Sequence, residues 1–238
     1  MTAVIRAPRN RFAAATVHIA LSLLVIGGIA LAVILLWFPA GLYRVANLGK
    51  LFEVMLLVDV VVGPLLTLVV YKHGKPSLRM DLTVIALLQL AFLGYGLHTL
   101  WKGRPVYLVG SSEAFALVFA NEVPPPSTAE AKARGWTRFH RTGPWLVGVD
   151  TTSRAVREDF LTAWMAGQRG PLAEKTRYVP YATVRQGVLE TARTPSADEV
   201  HAYGVAPDAV RSLPLISARA TAVMLLDAWT GEPLHVAR

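Results

Sequence analysis

The residue with the most chemical promise is an aspartate in an apolar setting. Asp59 lies inside LVDVVVGPLLTL, residues 57–68, with Gly63 and Pro64 just after it. A charge at the centre of a bilayer costs about 2.5–3.5 kcal/mol on insertion scales, and residues that bear this cost tend to be functional. Proline has no amide proton, so the carbonyl four residues earlier, that of Val60, should lose its helical partner. Thr67 can bond back to the Gly63 carbonyl, and Gly63 lets a second backbone come close. In an antiparallel neighbouring helix, equal depth falls at Gly94 and Tyr95. This predicts that the Tyr95 hydroxyl meets Asp59, and that Gln89, about one turn away, answers the freed carbonyl. Asp59, Gly63, Pro64, Thr67, Gln89 and Tyr95 therefore form one predicted polar notch. It either locks the protein's own helices together or receives the transmembrane helix of a partner. A proton relay would need more than one carboxylate and three spans.

Elsewhere the residue types of catalysis occur without the spacing of catalysis. None of the six histidines is three or four residues from another, and there is no HExxH, so a metal centre is not expected. There is no P-loop, no GxGxxG following a strand and no GxSxG, so no cofactor is expected either. With no cysteine, disulfides and thiolate ligands are excluded. Ser111 and Ser112 sit in a predicted turn with no base in sight. Glu158 and Asp159 are helix neighbours that point about 100° apart, which is wrong for a carboxylate pair. Trp136, Trp145, Trp164 and Trp229 can line a groove, but tryptophans of small domains mostly build the core. The expectation is a protein that is not an enzyme.

Three apolar stretches must position the notch: 17–38, 51–71 and 82–101. Each approaches the roughly 20 residues that a membrane crossing needs. The first is too long for the apolar part of a cleaved signal peptide, and WFPAG is a poor cleavage site, so it is read as a retained span. The composition agrees: 53% of the 238 residues are hydrophobic and only 17% charged, against about 25% charged in ordinary soluble domains. Of the net charge of +8, all but +1 falls in the first part of the chain. Residues 1–104 hold ten Lys/Arg against three Asp/Glu, and the remainder holds fourteen against thirteen. These basic residues flank apolar segments instead of lining a folded face, so nucleic-acid binding is not expected. Arg6, Arg9 and Arg11 before the first span, and Lys72, Lys75 and Arg79 between the second and third, place both segments in the cytoplasm. Lys102 and Arg104 oppose this mildly. The expected division is a cytoplasmic N-terminus (1–16), a transmembrane region (17–104) in contact with the lipid bilayer, and an extracytoplasmic α+β domain (105–238).

Within that last domain RPVYLVG and FALVFA, separated by Ser-Ser-Glu, read as a hairpin. WLVGVD reads as a strand and 153–166 as an amphipathic helix ended by Gly167, Gly170 and Pro171. Ser127 to Glu130 and Ser196 to Glu199 have capping-box spacing, and the first opens a helix STAEAKAR. The ending PLISARATAVMLLDAWTGEPLHV reads as a strand pair or trio with a turn at DAWTGE.

The stretch VDVVVGPLLTLVVYKHGKPSLRMDLTVIALLQLAFLGYGLHTLWKGRP, residues 58–105, resembles the type IV pilin accessory proteins of the TfpX/TfpZ group. Their pattern runs V-D-x-V-L-G-P-L-L-T-L, G-K-x-S-L-x-x-D-L, Q-L-x-x-L-x-Y-G and R-P. Asp59, Gly63, Pro64, Thr67, Gly74, Lys75, Ser77, Leu78, Asp81, Gln89, Tyr95, Gly96, Arg104 and Pro105 fall on it without a gap. Val62 stands where leucine is usual. Trp37-Phe38-Pro39 and LPLISAR…VMLLDAWTGE match more weakly, and 121–210 aligns loosely. The resemblance implies a multi-pass protein of a bacterial inner membrane, with a periplasmic C-terminal domain. Such a protein would act as a dedicated chaperone or assembly modulator on a type IV major pilin. The helices around 59–67 would meet the pilin stem, whose buried glutamate and charged N-terminus suit a polar notch, and the tail would meet the pilin head. A partner of a pilin-modifying enzyme would call for a carboxylate pair or a nucleotide site in the tail. A membrane protein binding a periplasmic ligand and signalling would call for a cytoplasmic output domain, where only 1–16 and a ten-residue loop are expected.

Overall fold

A computed structural model of the chain describes residues 10–123, 142–165, 177–201 and 203–237. It divides into two compact units. One takes in the chain up to Val33 together with Leu48–Trp101, and the other takes in Ile34–Asn47 together with the chain from Lys102 onward.

The first unit consists of three helices long and apolar enough to cross a membrane: α1 (Arg11–Trp37), α2 (Gly49–Val70) and α3 (Leu78–Lys102). Asn10 caps α1 by accepting from the Ala13 amide at 2.8 Å. Most large apolar side chains of the three helices are exposed, which suits helices able to face lipid. The buried positions form narrow faces. In α1 these are Ala15, Ser22, Ile26 and Val33, with His18 in line. In α3 they are Ile85, Gly96 and Leu100, with Gln89 and Leu93 between them. Lys75 pairs with Asp81 at 2.6 Å and Ser77 donates to the same carboxylate at 3.3 Å, which fastens the turn between α2 and α3.

The second unit is built on a mixed seven-stranded sheet of order β4-β3-β1-β2-β5-β6-β7. Its strands are β1 (Pro105–Gly110), β2 (Phe115–Phe119), β3 (Trp145–Val149), β4 (Tyr178–Pro180), β5 (Val210–Ser217), β6 (Thr221–Asp227) and β7 (Pro233–Ala237). The helices are α4 (Arg154–Met165), α5 (Tyr181–Thr191) and α6 (Ala197–His201). β1 runs parallel to β3 and β2 parallel to β5, and the other pairs are antiparallel. β1 and β2 are buried at every position, which accounts for their unbroken apolar sequences. The expected hairpin is present, and its turn is held by Ser111, whose Oγ donates to the Ala114 carbonyl at 2.8 Å and accepts from the Ala114 amide at 3.2 Å. The C-terminal stretch is a strand trio, with Asp227 accepting from the Trp229 and Thr230 amides at the turn. At α6 the Ser196 amide donates to Glu199 Oε2 and the Glu199 amide to Ser196 Oγ, the capping box read from the sequence. The helix expected over STAEAKAR, Trp136, the Trp164 side chain and the stop at Gly167, Gly170 and Pro171 lie outside the described residues. Trp145 is half-buried and packs against the core of the sheet unit, as a core tryptophan should, whereas Trp229 is 75% exposed.

The sequence pattern reads the segment between the first two spans as a bare loop, but the structure makes it part of the sheet unit. A short helical segment, Pro39–Val45, buries Leu42 and Val45, with Phe38 and Ala46 buried at either end. Arg44 donates to the Tyr203 hydroxyl at 2.6 Å and to the Val236 carbonyl at 2.8 Å. Ser217 Oγ donates to the Val45 carbonyl at 2.6 Å, and Arg219, stacked 3.9 Å over the Phe119 ring, donates to the Ala46 carbonyl at 3.0 Å. In the chain, α2 and α3 lie between this segment and β1.

His235 on β7 packs at a tilt against Tyr203, with ring centroids 4.2 Å apart. Burial, with the Arg44 guanidinium beside it, holds its imidazole below the ordinary value. The folded state therefore takes up the proton less readily than the unfolded chain. This contribution to stability is complete above about pH 6.5 and is lost as pH falls through the lower folded value. Thermal unfolding of the detergent-solubilised chain should show a midpoint that drops as pH falls from about 7.5 to about 5.5. His235→Gln should flatten part of that slope; an unchanged slope would remove His235 from this role.

Candidate functional site

The notch begins with an irregularity in α2. Residues Leu57–Val62 form a wide π turn, and the Gly63 amide donates to the Val58 carbonyl, five residues back. A regular turn would drive the Pro64 ring against the carbonyl of Val60; the wide turn relieves this and moves the unpaired carbonyl by one residue. The α-helical partner of the Asp59 carbonyl is the Gly63 amide, which is taken by Val58. Its π-helical partner would be the nitrogen of Pro64, which has no proton. The orphan is thus Asp59 O, and Gln89 Nε2 donates to it at 3.1 Å. The sequence expectation named the right donor and the carbonyl next door, because it assumed a regular helix.

Because the wide turn takes more residues per revolution, Met55, Asp59, Gly63 and Thr67 are buried on one side of α2. Two small residues let α3 close on that face. A Cβ on Gly63 would collide with the Gln89 side chain, and one on Gly96 would come within 2.8 Å of Met55 Sδ. These two contacts set the antiparallel register, which puts Asp59 across from Leu93 and not Tyr95. Tyr95 lies two residues past Leu93, about 200° around the helix, and is 71% exposed. Tyr95 therefore stands outside the notch, and the expected Tyr95–Asp59 bond is not formed. Thr67, predicted to bond back to Gly63, instead bonds to another helix.

That helix is α1. His18 Nδ1 lies 2.7 Å from Thr67 Oγ1, and His18 Nε2 lies 2.7 Å from Gln89 Oε1. The directions follow from the far end: Gln89 spends its nitrogen on Asp59 O, so its oxygen must accept from His18 Nε2–H. The Nδ1 of a neutral imidazole then accepts from the Thr67 hydroxyl. One chain of hydrogen bonds, Thr67 to His18 to Gln89 to Asp59, ties all three helices. Metal-ligand spacing passes over His18. The signal that finds it is that it is the single titratable side chain of 17–38. Asp59 itself is 5% exposed, and its Oδ2 has no hydrogen-bond partner among the described residues.

A second concavity, about 550 Å3, opens in the sheet unit beyond the ends of the parallel strands β1 and β3. Ser112, Thr151, Asp150, Thr152 and Arg157 line it. They are engaged with their surroundings: Ser112 with Thr151 at 2.7 Å, Asp150 with the Thr152 amide and hydroxyl, and Arg157 with Glu113 at 3.2 Å. No histidine lines it, so Ser112 has no base there.

The chain is similar to three curated proteins of Dichelobacter nodosus. It is 31% identical over 95 residues to the fimbrial assembly protein of serogroup I, covering 39% of this chain and 37% of that one. It is 27% identical over 109 residues to the fimbrial assembly protein of serogroups C1 and C2, covering 45% and 83%. It is 26% identical over 109 residues to the fimbrial assembly protein of serogroup E1, covering 45% and 42%. The match thus spans well under half the length of two of these relatives. No family profile matches the chain, and no solved structure matches it.

The network ranks its own substitutions. Interhelical hydrogen bonds in membranes average about 0.6 kcal/mol, whereas stranding a buried carbonyl costs about 1–3 kcal/mol. Thr67→Val, which removes only the bond to His18, should cost about 0.6 kcal/mol. Gln89→Leu should cost about 2 kcal/mol or more. Reversible unfolding in mixed micelles measures both, and equal losses would contradict the assigned directions.

Proposed function

We propose that the chain is an inner-membrane accessory protein of the TfpX/TfpZ type that acts on a type IV pilin before or during pilus assembly. In this reading it is a dedicated chaperone or assembly modulator and not an enzyme. The similarity to proteins named for fimbrial assembly carries the reading. Three helices fit to cross a membrane and a sheet unit that incorporates the loop between the first two support it. A fimbrial subunit waiting in the membrane offers an apolar helix and a globular head, and these two units supply a surface for each. The N-terminus and the α2–α3 turn lie in the cytoplasm by their basic residues, and the sheet unit lies in the periplasm.

Capture tests this. The full chain, extracted in mild detergent from cells producing a type IV pilin, should co-purify that pilin, and deleting the protein should lower pilin abundance or surface piliation. A folded protein that captures no pilin, with normal pilin level and piliation in its absence, would sink the reading.

A further inference from the structure

The notch opens into a groove. Two adjoining concavities of about 300 and 370 Å3 share His18, Leu21, Ala86 and Gln89, and so form one trough between α1 and α3. On α1 its lining runs from Ala14 to Ile26, about 18 Å at 1.5 Å per residue. The walls are mostly apolar, and Asp59 lies at the floor. Its Oδ2 is without a partner among the described residues although Asp59 is 5% exposed. His18 Nε2–H is committed to Gln89, and Gln89 Nε2, with two protons, reaches both the Asp59 carbonyl and its carboxyl group, which leaves Oδ2 as the unmet atom. A buried carboxyl oxygen at the base of a trough calls for a donor, and an occupant of the trough can bring one.

We propose that the α1–α3 groove seats a partner's transmembrane helix, which presents a hydrogen-bond donor to Asp59 Oδ2. The shape suits a rod lying along the helices. A lipid chain would fill the walls but bring no donor to the floor. Ala14, Ser22 and Ala86 keep the walls low, so that a helix backbone can approach. The donor is an amine or a hydroxyl at the depth of Asp59, the eleventh residue of the 22 in α2. Taking the partner to be a fimbrial subunit rests on the function proposed above; the groove and its required donor do not.

Site-specific photo-cross-linking in membranes reads this directly. A photo-reactive residue replacing Leu21 or Leu90, both exposed along the groove, should form an adduct with the pilin. The same residue replacing Leu23 or Leu88, about 200° around each helix, should give an adduct at least about tenfold weaker. Asp59→Leu should lower the groove adduct about tenfold. Ala86→Trp, which fills the trough and leaves the hydrogen-bond network in place, should do the same at normal protein level. Asp59→Asn keeps an acceptor but no charge, so it retains a hydroxyl-bearing partner and weakens an ammonium-bearing one. Adducts from Leu23 and Leu88 only, groove adducts undiminished in both Asp59→Leu and Ala86→Trp, or lipid adducts alone while pilin still co-purifies would each overturn the groove and leave the proposed function standing. Pilin absent from every adduct and from the purified protein would overturn both.

Discussion

The carbonyl of Asp59 sits where neither of its usual amides is free. Gly63 has given its proton to Val58, and Pro64 has none to give. In lipid no water can substitute, and an unsatisfied main-chain group costs several kcal/mol. The remedy comes from a side chain on another helix, Gln89. To hold Gln89 in place its oxygen needs a donor, which His18 of α1 provides, and His18 in turn is aligned by Thr67 of α2. A single backbone defect thus recruits all three helices. Gly63 and Gly96 follow from the same demand, because α3 must come close enough for an amide side chain to reach a carbonyl.

Much of this was legible in the sequence, and the exceptions have physical causes. Long apolar runs marked the three helices, because length and hydropathy are what a membrane span requires. Pro64 marks the defect and Gln89 its answer. Which carbonyl is left unpaired does not follow from residue types, because proline's effect depends on how the helix adjusts and a π turn has no signature in them. Tyr95 matches Asp59 in depth but not in rotation. A residue at the right height still faces away if it lies about 200° around the helix. Metal-ligand spacing passes over His18, whose use here is to pass a hydrogen bond between neighbours.

In the sheet unit the strands and turns followed from local chemistry: alternating or continuous apolar runs, the Ser111 turn, the Ser196–Glu199 cap. The docking of Ile34–Asn47 did not, since Arg44 to Tyr203 and Val45 to Ser217 join residues more than 150 positions apart.

The central claim is that Gln89 is needed because Pro64 leaves a carbonyl unmet. A double-mutant cycle tests it most directly. Pro64→Ala restores an amide to the helix, so Gln89→Leu should destabilise this background by at least about 1 kcal/mol less than it destabilises the native sequence. The residual loss would reflect the bond to His18. Equal losses in the two backgrounds, measured by reversible unfolding in mixed micelles, would mean that Gln89 and Pro64 are independent and that the notch is held together by something else.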